Sequence, residues 1–378
     1  MSSSRREWQF SLAIAVISFI LLFIDLAPPG RDDGGRHARA EVTSVDNQYV
    51  RSNQIVKTGF QALRVELLSG PQKGQTMTVT NQLTGKMEFD ELYAEGSQLL
   101  IEYGLKEGRP VDGMARGHYR LHWQGLLIAL YVLLLALVAG VTGLKAALSF
   151  LFAALVLWKL FFPLLLMGFA PVPTGLVVVA ALTAVVTFAV GGLNRRGLTT
   201  FIGSMLGVIL TCILTMEFAE NFRLNGAVRP FAESLLYSGY YDLRLTEIFI
   251  ASVFIACSGA VMDLAMDVAA SMEEIKLGNP DIGFFAHLGA GFRVGRAVVG
   301  TMTTTLLLAY SSSHVFMFML VMAKGLPAAN ILNAPFVSAE ILNILVGSFG
   351  LVTVAPFTAV VAALIYRSGT LATTGTPG

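Results

Sequence analysis

The chain has 378 residues, of which 54% are hydrophobic and only 13% are charged. Soluble domains average about 25% charged residues, so this composition excludes a soluble globular protein. The formal net charge of +1 gives no sign of a nucleic-acid partner. The two cysteines, Cys212 and Cys257, lie within apolar runs and support neither a disulfide framework nor a metal site. We therefore expect an integral membrane protein without a cofactor.

Eight apolar segments are long enough to cross the hydrocarbon core as helices, which takes about 20 residues each. The last segment is too long for an upright helix and contains Pro356, so a kink or a tilt is expected. The sequence thus predicts a mainly α-helical, polytopic membrane protein, with seven of its helices in residues 122–368. In chain order the segments are residues 8–26, 122–140, 146–167, 174–193, 198–217, 247–270, 298–322 and 336–366.

The first span and the segment after it are predicted to differ in kind. Residues 1–30 should form an uncleaved membrane anchor, because IDLAPPGRDD offers no small-residue site for a signal peptidase. Residues 39–116 alternate polar and apolar residues in AEVTSV, LRVELL, QTMTVT and LLIEYG. Four or five short strands predict a small β-rich barrel of the OB type, which packs on the membrane part or binds a protein partner. It has no aromatic and basic stacking surface for nucleic acid.

The positive-inside rule assigns the side of the membrane with more Lys and Arg in its short loops to the cytoplasm. Applied here, it places both termini in the cytoplasm, including a disordered tail at residues 369–378, and places residues 39–116 on the opposite side. The basic residues expected inside are Arg5, Arg6, Lys145, Arg195, Arg196, Lys276, Arg293, Arg296 and Arg367. Longer outer connections hold Arg223, Arg229, Arg244 and Lys324.

Two acids lie within the sixth predicted span. Asp263 and Asp267 are four residues apart and share a helix face with Gly259, Ala270 and Glu274. A charged side chain at the bilayer centre costs roughly 2.5–3.5 kcal/mol, so this stripe should face protein or water. We expect Asp263 to face the protein interior, and we assign both Asp263 and Asp267 to a substrate or ion pathway. The alternatives are a hydrogen bond that locks helices together for Asp263 and an ordinary interfacial position for Asp267.

The seventh predicted span, GTMTTTLLLAYSSSH, is dense in polar side chains. Such a run could line a wet path opposite Asp263, or its hydroxyls could bond to carbonyls of their own helix. An imidazole in the outer half of this span makes a change of charge near neutral pH available. The residues assigned to the pathway are Thr301, Thr304, Thr305, Tyr310, Ser311 and His314.

Lys159, in LVLWKLFFP, is the basic residue within the third predicted span. At ~1.5 Å per residue, its depth differs from that of Asp263 by ~12 Å, which argues against a direct ion pair. We therefore predict that Lys159 extends outward and pairs with an acid near an outer helix end. The candidates are Glu340, Glu217 and Glu247.

Three phrases resemble the YibE/F-like family of bacterial multispanning membrane proteins: SGAVMDLAMDVAASMEEI (258–275), FRVGRAVVGTMTTTLLLAY (292–310) and AEILNILVGSFGLVTVAPFTA (339–359). The resemblance covers the chain from about residue 125 onward and, more loosely, the β-rich module. It implies a protein of the bacterial cytoplasmic membrane that is suspected of transport, without naming a substrate. The family's usual pattern has an acid after the Gly-Arg pair and an asparagine in the threonine run, where this chain has Ala297 and Thr304.

These features predict an ion- or proton-coupled secondary transporter that moves a small ion or solute, because intramembrane acids and interrupted helices mark such sites. The alternative is a non-transporting scaffold in which residues 39–116 recruit a protein partner or a second copy. An enzyme is not expected, since both acids share one helix and no HExxH or GxSxG motif occurs. Apart from these partners and membrane lipid, no partner class is indicated.

Overall fold

The computed structural model describes residues 3–24, 26 and 35–367, with side chains from Trp8 onward. These residues form two compact units. One is Pro29–Leu134, which contains the β-strands, and the other combines Met1–Pro28 with Leu135–Gly378. The predicted tail at residues 369–378 and the side chains of Arg5 and Arg6, which entered the topology prediction, lie outside the described residues.

The first unit is built from six strands that bury one face of their alternating side chains. In β4, for example, Met77, Val79 and Leu83 are buried while the residues between them are exposed. The strands are β1 Arg36–Asp46, β2 Val50–Asn53, β3 Val56–Leu67, β4 Thr76–Thr84, β5 Gln98–Lys106 and β6 Arg109–His118.

Five of these strands close into a barrel. The order is β1-β5-β6-β4-β3, and β1 also pairs with β3, which completes the circuit. The β4–β6 pair is parallel and the other pairs are antiparallel, while β2 extends β3 as a short hairpin. The prediction of a small barrel of four or five strands is thus confirmed, with five strands in the circuit. Strand β6 was not among the predicted strands, because RPVDGMARGH contains a proline and two glycines and lacks the alternation.

The second unit is helical. The first part of helix α2, up to Leu134, belongs to the barrel unit. Helix α2 continues through a π-helical turn at Leu157–Phe161, and a 3-10 turn at Gly226–Val228 follows α5. The helices are α1 Ser3–Phe23, α2 Leu121–Val156, α3 Phe162–Leu166, α4 Pro171–Gly191, α5 Arg195–Asn221, α6 Ala232–Tyr237, α7 Leu245–Gly278, α8 Phe284–Ser312, α9 Val315–Ala323, α10 Ala328–Leu332 and α11 Pro335–Arg367.

Helix α2 is two helices joined at a sharp bend. Gly140 has φ 54° and ψ −131°, a conformation that interrupts the α-helix and that residues with a Cβ rarely adopt. The chain then turns so tightly that a Cβ at Gly143 would collide with the carbonyl oxygen of Leu135. The two parts match the second and third predicted spans, residues 122–140 and 146–167.

Five helical ranges among the described residues are long and apolar enough to cross a membrane. A sixth span results if α8 and α9, which are bent by 67° at a short break, count as one; α1 contributes a shorter apolar helix, Trp8–Phe23. A mainly helical, multi-pass membrane protein is therefore confirmed, and the count of eight spans stays a prediction. The five ranges are Leu121–Leu166, Pro171–Gly191, Arg195–Asn221, Leu245–Gly278 and Pro335–Arg367.

Helix α7 is at the centre of the helical unit and packs against α4, α5, α8 and α11. Small residues allow close approach, as in many membrane helices. Gly207 of α5 meets Val261 of α7 and Val354 of α11, and Gly350 of α11 leaves room for Thr211 of α5. Helix α11 runs without interruption through Pro356, so the predicted kink is not accompanied by a break in the helix.

Candidate functional site

The two predicted pathway acids lie on the open face of α7. Asp263 and Asp267 are exposed together with Gly259, one turn earlier, whereas Val261 and Leu264 are fully buried. Within the part of the chain that the structure describes, neither carboxylate forms a hydrogen bond or an ion pair. The prediction that Asp263 faces the protein interior is therefore wrong.

The reason is that the opposite, apolar arc of α7 fills the core. Phe254 packs against Gly175 of α4, and Cys257 packs against Gly347 of α11. Val261 lies between α5 and α11 in the same way. Because these contacts bury apolar surface without desolvating a charge, the carboxylate stripe is left outside the packed core.

The threonines of α8 do not complete a site with Asp263. Thr301, Thr304 and Thr305 are exposed, and each hydroxyl donates a hydrogen bond to a carbonyl of its own helix. The acceptors are the carbonyl oxygen of Val298, at 2.9 Å from the Thr301 hydroxyl, and that of Thr301, at 3.3 and 3.2 Å from the other two. This is the structural alternative that the sequence left open.

A buried ionic cluster lies elsewhere, around Glu340 near the start of α11. The Glu340 side chain is only 1% exposed. Arg229 donates from Nη1 to its Oε2 at 3.0 Å, and His314 Nε2 lies 3.4 Å from the same oxygen. Asn343 donates from Nδ2 to Oε1 at 3.4 Å. We call these four residues the Glu340 cluster.

The break between α8 and α9 brings His314 to this cluster. The main-chain N–H of His314 donates to the Ser311 carbonyl, and its Nδ1 lies 3.2 Å from the Tyr310 carbonyl oxygen. A further contact, 3.1 Å from Nδ1 to the Ser313 hydroxyl, fixes the ring. Ser311, predicted as a pathway residue, thus acts here through its backbone.

Tyr310 packs beside the same stripe of α11 that carries Glu340 and Asn343. Gly347 continues this stripe one turn later, and a Cβ there would lie 3.5 Å from the Tyr310 ring. The Tyr310 hydroxyl is buried and has no hydrogen-bond partner among the described residues. Burying a hydroxyl without a partner costs free energy.

Arg229 reaches the cluster from the loop between α5 and α7. Gly226, in the preceding 3-10 turn, packs so closely on the Leu245 carbonyl that no side chain would fit. The Arg229 guanidinium stacks over the Phe249 ring at 5.0 Å and remains 26% exposed. It therefore contacts the buried carboxylate on one side and an open groove on the other.

That groove has a volume of about 640 Å³ and is lined mainly by apolar side chains of α6 and the first turns of α7. Arg229 is the charged residue in its lining. The other lining residues are Gly226, Pro230, Phe231, Ala232, Ser234, Leu235, Ser238, Leu245, Ile248, Phe249 and Ser252.

The structure groups the predicted site residues differently from the sequence analysis. It brings together Tyr310, His314 and Glu340, and it leaves Asp263 and the threonines apart from them. Glu340, one of the three acids predicted as partners of Lys159, forms an ion pair with Arg229, and its Oε2 lies 3.4 Å from His314 Nε2. The pairing of Lys159 with Glu340, Glu217 or Glu247 stays a prediction.

Sequence reasoning missed Arg229 and Asn343. Arg229 was counted only as a charge in an outer connection, although Glu340 was placed near the same side of the membrane. A buried acid requires a cation or a hydrogen-bond donor, and an arginine in an outer loop is able to supply both. Asn343 could have been found from its spacing of three residues from Glu340.

The barrel contains a separate, structural ion pair. Burial raises the pKa of the Glu91 carboxyl, but hydrogen bonds from the Arg120 side chain and the His118 N–H outweigh this and lower it below its ordinary value. Glu91 thereby ties the end of β6 to the start of α2. Over the described residues, no group of three or more His, Cys, Asp or Glu side chains is placed to hold a metal ion.

Residues 127–368 match the family model described as YibE/F-like protein, and residues 36–116 match the YibE/F family N-terminal domain. These matches cover the helical part and the barrel, and they confirm the resemblance inferred from the three sequence phrases. No curated protein and no solved structure matches the chain.

Proposed function

Because the chain belongs to the YibE/F-like family and has several apolar helices able to span a membrane, we propose that it is a proton-coupled secondary transporter of the bacterial cytoplasmic membrane. One observation carries the proposal. The Glu340 carboxylate of α11 is buried, and one of its oxygens lies beside both Arg229 and His314, the residue at the α8–α9 break.

Charge buried in a membrane protein is energetically expensive and usually has a function. An apolar cluster of similar volume would join the same helices at no greater cost. Discontinuous helices frame the binding sites of many secondary transporters, and the α8–α9 break contains His314. Imidazole is the side chain whose charge ordinarily changes between about pH 5 and 8.

The mechanism follows from competition for one oxygen atom. Uncharged His314 leaves Glu340 Oε2 paired chiefly with Arg229. A proton on His314 strengthens its attraction to the same oxygen and weakens the hold of Arg229, since two cations then share one carboxylate. Arg229 is thereby released for another anion, or is able to move with its loop. With the orientation predicted from basic loops, the cluster lies toward the extracytoplasmic side.

The test is proton flux in proteoliposomes that contain a pH-sensitive dye. A pH gradient is imposed, and its dissipation is followed as Na⁺, K⁺, amino acids and carboxylates are added in turn. We expect one solute class to accelerate dissipation with the unaltered chain and not with Glu340→Gln or His314→Gln. The matched control is Glu247→Gln, which removes an exposed carboxylate paired with Arg244.

His314→Gln is the sharper variant, because it keeps the Arg229–Glu340 ion pair and removes only the group that changes charge. A normal unfolding profile in detergent should accompany the loss of flux. Undiminished coupled flux in folded His314→Gln would contradict the proposal, as would the absence of gradient-driven flux for every solute class.

The second candidate, a scaffold, is favoured by exposed apolar side chains on the barrel. Ile55 is 76% and Met87 is 67% exposed, and both line a pocket of about 170 Å³ together with Leu83 and Leu92. A photo-crosslinker at Ile55 in native membranes would yield one adduct of defined mass if a partner docks here. Met87→Ser should then abolish that adduct and leave unchanged the proton flux of the purified protein in proteoliposomes.

A further inference from the structure

We infer that the groove beside Arg229 binds a single-chain amphiphile with a carboxylate head, and that the proton held by His314 accompanies it. This inference names a substrate class for the site of the proposed transporter and rests on that function only for the translocation step. Binding itself is tested separately.

The shape and lining of the groove indicate a largely apolar ligand. Its volume of about 640 Å³ lies in the range of small-molecule sites. Phe231, Leu235, Ile248 and Phe249 supply most of the apolar wall, with serine hydroxyls between them. One long chain can lie along α6 and the first turns of α7, whereas a two-chain lipid exceeds this space.

Arg229 supplies the complement to an anionic head group. A guanidinium has five N–H donors, and Nη1 is the nitrogen that donates to Glu340. The remaining donors form no hydrogen bond with another described residue, and the group is partly exposed at the groove. Arginine binds carboxylates through paired hydrogen bonds, and a single guanidinium matches a single negative charge.

The charge of the cluster makes binding dependent on a proton. With His314 neutral, Arg229 and Glu340 sum to zero; with His314 protonated, the three residues carry one net positive charge. Among the other titratable or charged groups on the elements packed around the site are Tyr310 on α8, Cys257 on α7, Glu233 on α6 and the Arg244–Glu247 pair at the start of α7. Protonation of His314 therefore attracts one monoanion, which gives a coupling of one proton to one carboxylate.

The experiment measures binding of dansyl-undecanoate to the full-length protein in nanodiscs by fluorescence. We expect Arg229→Gln to weaken binding by at least about tenfold. Arg223→Gln, an exposed arginine of the same connection that lines a different cavity, should leave it unchanged. Ser234→Trp fills the groove and leaves all four side chains of the Glu340 cluster in place, so it should abolish binding even if Arg229→Gln fails to fold.

Proton dependence is measured by competition with dodecanesulfonate, whose charge is constant. Its competition should strengthen from about pH 8 to about pH 5 and should lose this dependence in His314→Gln. Equal competition by uncharged dodecanol, stronger displacement by phosphatidylglycerol, or full binding in folded Ser234→Trp would each overturn the inference. Binding without coupled flux would overturn the proposed transport but support the binding site in the groove. Coupled flux without binding would support transport but overturn the binding site.

Discussion

Two carboxylate regions of the helical unit have opposite surroundings. Asp263 and Asp267 lie on an exposed stripe of α7 and have no partner among the described residues, whereas Glu340 is buried and contacts three side chains. Both regions interrupt apolar sequence that is long enough to span a membrane. The difference teaches that an acid in such a helix enters the core only where partners arrive from other elements.

The largest effect is expected for Arg229→Ala. This change leaves Glu340 buried without its arginine, and breaking a buried ion pair in this way costs about 3 kcal/mol. Unfolding by SDS titration in mixed micelles measures the loss. Arg223→Ala is the matched control, and a loss as small as in that control would mean that the cluster does not support the fold.

A smaller effect is expected for Glu340→Gln. The amide keeps the shape and one acceptor but leaves the Arg229 charge uncompensated, so the variant should lose about 2 kcal/mol of unfolding free energy. Asp263→Asn should change it by no more than about 0.5 kcal/mol, because no partner is lost. Equal losses in the two variants would remove the distinction between the buried and the open carboxylates.

Asp263→Asn is expected to lower cation- or pH-dependent flux without abolishing it. An exposed carboxylate can exchange a proton or a cation with its surroundings at no cost to the packed core. Glu274→Gln, at the end of the same stripe, serves as the control in the proteoliposome assay. Unchanged flux and unchanged ion dependence in Asp263→Asn would confine the pathway to the Glu340 cluster.

The smallest effect is expected for Thr304→Val. Its hydroxyl donates to the Thr301 carbonyl of its own helix. After the change, that carbonyl still has its main-chain hydrogen bond in the helix. We expect a change within about 0.5 kcal/mol and normal flux, measured beside Ser312→Ala, another exposed hydroxyl with the same kind of bond. A clear loss of flux would mean that the threonine face of α8 belongs to the transport pathway.

The sequence predicted those parts of the fold that depend on local pattern. Apolar runs located the helices, and alternation located β1, β3, β4 and β5. The sequence of strand β6 contains a proline and two glycines and therefore does not alternate polar and apolar residues. It could not be predicted from alternation.

The site depended on tertiary structure to a greater degree. Helical spacing correctly put Asp263 and Asp267 on one face, yet it could not tell that the opposite face would be buried. His314 and Tyr310 were selected for their chemistry, whereas their proximity to Glu340 arises from the α8–α9 bend. Arg229 arrives through a loop whose path no periodic pattern encodes.

Closure of the barrel limits how another molecule can bind to it. Since β1 pairs with β3 as well as β5, and β4 pairs with β6, each strand of the circuit has a neighbour on both sides. In the described barrel, the four-residue strand β2 pairs on one side only, which leaves little room for an incoming chain to add a strand. A partner of this module must therefore be recognised through side chains, and Ile55, in the turn that follows β2, is placed to provide that contact.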